Sequence, residues 1–167
     1  SREETDANLK QRYGANADRI VQEFSRLFPG KKTADAFFYA PTYRTTVRGV
    51  LAKRIKESRG PVYNYLFAYE APVNGGITPF HCAELIYVFH NVGLPELRLA
   101  TGGGPGARRV QDTVARAWVN FAYTGDPSQT GLKWEPYTES GQGTLVFDTT
   151  SEFRTLDDQV MVSLMTR

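Results

Sequence analysis

Cysteine is nearly absent from this 167-residue sequence. Cys82 stands alone, so no internal disulfide can form and no structural zinc site can be assembled from cysteine ligands. Histidine is scarce as well, with only His81 and His90. No run approaches the ~20 consecutive apolar residues that a helix needs to cross a bilayer, and no repeat or low-complexity tract occurs. Neither sign of charge is in excess: 20 Lys and Arg against 18 Asp and Glu leave a net charge of +2. That is too little to argue for nucleic acid as a partner. The opening stretch "SREETDANLK" lacks the apolar core of a signal peptide, and residues 1–8 are read as a flexible leader. The compartment stays open between cytoplasmic and periplasmic or secreted. No pattern calls for a metal or a cofactor.

What is present describes a globular chain. With 41% hydrophobic and 13% aromatic residues, a chain of this length can withdraw roughly 70% of its unfolded surface from water. We read 1–167 as a single segment. Ile20, Val21, Phe24, Leu27 and Phe28 recur at helical spacing within 16–28, with Asn16 as the candidate cap and Pro29-Gly30 as the stop. A second helical stretch covers about 33–58 and must break or kink at Pro41. Its Tyr43, Val47, Val50, Leu51 and Ile55 form the apolar positions, and Arg44, Arg48, Lys53, Arg54 and Lys56 occupy the other face. Without interleaved aromatics or a groove-reading motif, that basic face is expected to be solvated. The best helix lies at 107–123, where Val110, Val114, Ala117, Trp118 and Phe121 make one stripe.

After Gly60-Pro61 the period changes. "VYNYLFAYE" alternates Val62, Leu66 and Ala68 with Tyr63, Tyr65, Phe67 and Tyr69, and both faces are apolar. Such a strand belongs to a covered, parallel-type sheet. A second short strand is expected at 143–148, "GTLVFD", and a closing helix over Leu156–Leu164. The loop "APVNGGITPF" then delivers His81 beyond the first strand's carboxyl end, where open α/β sheets place their reactive groups. The "GGGPG" at 102–106 is preceded by no strand and followed by no Lys-Ser/Thr, so it reads as a connection and not as a phosphate loop.

Three strings, taken together, go further than the patterning. "HCAELIYVF", with the spacing His-x-x-Glu-x-x-Tyr-x-Phe, "WVNFAYTGDPSQTGLKWEPY" at 118–137 and "GPVYNYLFAY" at 60–69 occur in an order that resembles the C-terminal part of the type B carboxylesterases. The para-nitrobenzyl esterases and cholinesterases belong to that family. The resemblance implies an α/β fold, here a mostly helical C-terminal segment of an α/β-hydrolase with about two strands of the parent sheet. It implies a Ser-Glu-His triad that hydrolyses small carboxylic esters, with His81 as the triad histidine and Glu84 as an acidic residue bracing the site from behind. The family usually carries glycine after the final Phe of the pattern, whereas this chain has His90.

Ester hydrolysis needs a histidine because a serine hydroxyl is a poor nucleophile until an imidazole takes its proton, and the same imidazole then protonates the leaving alcohol. Only histidine changes charge readily near neutral pH. An isolated His-x-x-Glu pair is more often structural, and the flanking motifs reverse that balance for His81. Glu84 also suits a helix start, where a carboxylate complements the dipole. His90 is read as structural, and Cys82 as a small buried hydrophobe.

The nucleophile is missing. No G-x-S-x-G elbow occurs, and Ser1, Ser25 and Ser58, the only serines before His81, fit no strand-to-helix turn. Glu3 and Glu4 lie too near the start to be the triad acid. The resemblance therefore implies that nucleophile and acid lie upstream, in a missing N-terminal part, and that the isolated chain is inactive. A non-catalytic, cholinesterase-like adhesion domain is the alternative. The strand at 62–69, apolar on both faces, also leaves open a homodimer through an exposed sheet edge.

Overall fold

The structure, a computed structural model, describes residues 2–57 and 60–166. The chain divides into two compact units, Ser1–Glu57 with Leu156–Arg167, and Ser58–Thr155.

The first unit is helical: α1 (Arg2–Tyr13), α2 (Ala17–Leu27), a 3-10 stretch (Thr33–Phe38), α3 (Pro41–Glu57) and α7 (Gln159–Met165). The chain is helical from Arg2, where a leader was expected over 1–8, and Leu9 of this helix is fully buried. In α2 the expected spacing is used: Ile20, Phe24 and Leu27 are buried one above another. Asn16 makes no side-chain cap there; its amide donates to the Leu164 carbonyl, tying the start of α2 to α7. The Pro41 break is present, with α3 beginning at the proline, where a missing N–H costs nothing. Of the apolar positions in α3 only Leu51 is buried, and Tyr43, Val47 and Val50 are exposed. Its basic face is not simply solvated. Arg44 and Arg48 both pair with the fully buried Asp158 just ahead of α7, and the Tyr39 hydroxyl donates to the same carboxylate.

The second unit carries a three-stranded sheet in the order β1 (Tyr65–Phe67), β2 (Gly143–Phe147), β3 (Glu152–Thr155). β1 runs parallel to β2 with Tyr65 opposite Leu145, and β3 returns antiparallel with Phe153 also opposite Leu145. The parallel pair is joined by a crossover containing α4 (Leu85–Val88), α5 (Arg98–Thr101) and α6 (Pro105–Thr124), as a parallel connection requires. Two expectations are corrected. The strand read over 62–69 contracts to three residues, because ladder partners exist only where β2 lies alongside; Leu145 N–H to the Asn64 carbonyl and Ala68 N–H to that of Phe147 extend it slightly. The sheet also has a third strand beyond the two expected, and β2, buried throughout, is its centre. At Gly143 a Cβ would run into the ring of Phe153, so the close strand pairing admits no larger residue without a shift.

Helix α6 supplies the other half of this core. Pro105 opens it, Gly125 closes it with a left-handed cap, and Ala107, Val110, Val114 and Ala117 are buried along one stripe. The "GGGPG" segment is the joint between α5 and α6, with Gly102 capping the first at φ 76° and Gly104 preceding the second.

Candidate functional site

The loop leaving β1 is drawn back on itself by the pairing of Ala71 with Ile77, and positive-φ Asn74, Gly75 and Gly76 turn its tip. It ends in a tight turn closed by the Ala83 N–H on the Phe80 carbonyl at 3.0 Å. Cys82 occupies the third position of that turn at φ 65°, where such turns need a left-handed residue. His81, the second residue of the turn, is exposed. The structure thus places His81 in an exposed turn beyond the carboxyl end of a parallel strand. Cys82 is exposed as well, which corrects its reading as a buried hydrophobe.

Glu84 follows as the residue at the start of α4, and its carbonyl accepts from the N–H groups of Tyr87 and Val88. Tyr87, fully packed, anchors that short helix against Phe67 and Tyr69, with ring centroids 4.9 Å and 5.7 Å apart. Burial pushes the Tyr87 phenol well above its ordinary range, with Tyr69 adding to the effect. The half-buried Glu84 carboxylate receives the Tyr65 hydroxyl at 3.5 Å. Burial, and next the negative charge of Glu84, push the Tyr65 phenol up to about 12. It is a standing donor at neutral pH and not a base.

At the far end of α4, His90 adopts φ 60°. The left-handed backbone explains why the related pattern usually has glycine there, since only glycine takes it without steric cost. The imidazole compensates with contacts to α6. Its Nε2 lies 2.9 Å from Asp112 Oδ1 and 3.1 Å from Gln111 Nε2. Gln111 is oriented by its buried Oε1, which accepts the Val92 N–H at 2.7 Å. His90 is therefore structural, but through specific polar partners that the sequence reading did not assign.

The remaining candidates do not join this site. Ser25 sits inside α2 and donates to the Val21 carbonyl, one turn back, so its hydroxyl is at no strand-to-helix elbow. Ser1 and Ser58 lie outside the described residues. Glu3 and Glu4 are exposed in the first turn of α1. Among the described residues no group of three or more His, Cys, Asp or Glu could hold a metal ion, and no helix is long and apolar enough to cross a membrane.

The profile of the carboxylesterase family matches residues 1–162. The chain belongs to the carboxylesterase family. Among curated carboxylesterase relatives, the para-nitrobenzyl esterase of Bacillus subtilis is 26% identical over 151 residues, which cover 89% of this chain and 29% of that protein. Human bile salt-activated lipase is 32% identical over 118 residues, 66% of this chain and 15% of the lipase. A solved esterase from Clostridium hathewayi, described as able to hydrolyse aliphatic aromatic polyesters, superposes with a TM-score of 0.85 at 26% identity, covering 99% of this chain and 32% of that one. The carboxylesterase of Geobacillus stearothermophilus shares the fold at a TM-score of 0.61, over 99% of this chain and 35% of its own. The fold is thus that of an α/β-hydrolase segment, and the chain spans less than a third of the curated relatives it matches.

Proposed function

We propose that this carboxylesterase chain supplies the histidine of a serine-esterase triad, with His81 as general acid and base in the hydrolysis of small carboxylic esters. One observation carries the reading: His81 is an exposed residue on a tight turn beyond the carboxyl end of β1, with Glu84 three residues on. In the reaction His81 takes the proton of a serine hydroxyl as that oxygen attacks the ester carbonyl. It then delivers the proton to the departing alcohol, and repeats the cycle with water to release the acid. Nucleophile and triad acid come from polypeptide outside these 167 residues, since the sequence holds no G-x-S-x-G elbow. Family membership and the ester chemistry named for the Clostridium hathewayi esterase support carboxylic esters as the bond cleaved.

The test has two arms. The chain by itself should cleave a para-nitrophenyl ester no faster than free imidazole does. In the whole esterase, His81→Ala should lower kcat by several orders of magnitude, leaving on the order of 10³ to 10⁴ over water from binding and oxyanion stabilisation. Undiminished turnover in that variant would remove His81 from the chemistry.

A further inference from the structure

We propose that Tyr65 is a positioning residue for the reaction at His81, its hydroxyl holding the Glu84 carboxylate and thereby fixing the turn that presents the imidazole. The inference rests on the reading of His81 given above. Tyr65 is placed by two constraints that leave it little freedom. Its backbone lies in the parallel ladder opposite Leu145 of the fully buried β2. Its ring stands edge-on to three others, Trp118 at 5.1 Å, Phe147 at 6.0 Å and Trp134 at 6.4 Å between centroids. Aromatic contacts of that geometry favour one ring orientation and cost energy to rotate.

The oxygen at the end of this rigid arm reaches the segment that follows His81. It meets Glu84 Oε1 at 3.5 Å, and Cys82 lies close enough to act on the phenol electrostatically. Cys82 and Glu84 are the first and third residues after His81, so the hydroxyl touches the stretch that leads out of the turn. Burial and the nearby carboxylate keep the phenol protonated, with its pKa pushed up to about 12, and the donor is present at every pH where an esterase works. A phenol donor beside a half-buried carboxylate favours one orientation of that side chain. Because the Glu84 carbonyl also begins α4, releasing the side chain loosens the helix start and the turn together.

A purely packing role for Tyr65 makes a different forecast, because Tyr65→Phe keeps the ring and removes only the oxygen. The experiment is a double-mutant cycle in the whole esterase. Tyr65→Phe should cut kcat about 10-fold with KM retained, by analogy with outer partners of metal-bound histidines. The same substitution should add nothing once Glu84→Gln is in place. Glu84→Asp, which draws the carboxylate back from the phenol, should reproduce the Tyr65→Phe loss. An unchanged kcat in Tyr65→Phe, or an equal loss in both backgrounds, overturns the proposal. If Tyr65→Phe does not fold, Glu84→Asp carries the test alone, and an unchanged kcat there overturns it equally. Full activity of His81→Ala would instead refute the function of His81 while leaving the measured coupling between Tyr65 and Glu84 intact.

Discussion

Arg44 Nε lies 2.7 Å from Oδ2 of Asp158, a carboxylate with no solvent exposure at all. Arg48 pairs with the other oxygen, and the Tyr39 hydroxyl donates to the first. One buried acid thus ties α3 and the segment before it to the start of α7.

Removing one partner of a buried ion pair leaves the other charge stranded, which costs about 3–5 kcal/mol. Asp158→Ala should reach that range, because it strands two guanidinium groups at once. Arg44→Ala should cost less, since Arg48 and Tyr39 still meet the carboxylate. Urea unfolding of both variants checks the order, and equal losses would show that Arg48 contributes nothing to the pair.

The backbone at His90 makes a second forecast. At φ 60° a β-branched residue meets its own carbonyl, costing about 1–2 kcal/mol, whereas glycine does not. The pair His90 and Asp112 is mostly exposed, and such pairs contribute at most about 1 kcal/mol. His90→Gly should therefore leave stability within about 1 kcal/mol of the parent, and His90→Val should fall clearly below it. A His90→Val variant as stable as His90→Gly would mean that the left-handed conformation is not held in solution.

Alkaline pH should destabilise the sheet unit through its phenols. Tyr65 rises from an ordinary 10.0 to about 12 in the folded chain, so the folded state holds this proton more tightly than the unfolded one. Its contribution is complete below pH 10 and is lost as pH climbs through about 12. Burial shifts Tyr87 and Tyr69 the same way. Urea midpoints measured between pH 9 and 11.5, values about the ordinary phenol pKa, should fall less steeply for Tyr65→Phe than for the parent. Parallel slopes would show that the Tyr65 phenol is not perturbed.

Helices α2 and α6 could be read from the sequence because each buries a stripe at helical spacing, Ile20 to Leu27 and Ala107 to Ala117. Helix α1 could not, since among its described side chains only Leu9 is fully buried and the rest carry no apolar period. Strand β3 was invisible for a different reason: "EFRT" is only four residues long and half of them are charged, so pairing with β2 is what makes it a strand. His81 was singled out through its flanking motifs, while the tight turn that carries it was read only as the end of a loop. Tyr65 was legible only as one of four alternating aromatics, because its partner Glu84 lies 19 residues on and nothing local marks the contact. Asp158 likewise serves residues more than a hundred positions away, which no window of sequence can reveal.

Among the described residues β1 pairs on one side only, with β2, and its three residues are half-buried where those of β2 are fully buried. Phe80, Leu85 and Phe89 around the His81 turn are exposed as well. An unpaired strand edge is a template for another chain, and two copies of this one can meet it by pairing edges or exchanging helices. The chain at high concentration should therefore scatter light as a species heavier than its 18.7 kDa and fall towards that mass on dilution. Lys substitutions at Phe80 and Phe89 should favour the lighter species if the apolar rim contributes. A particle of 18.7 kDa at every concentration, binding no hydrophobic dye, would mean that the edge and the rim are covered by the chain itself.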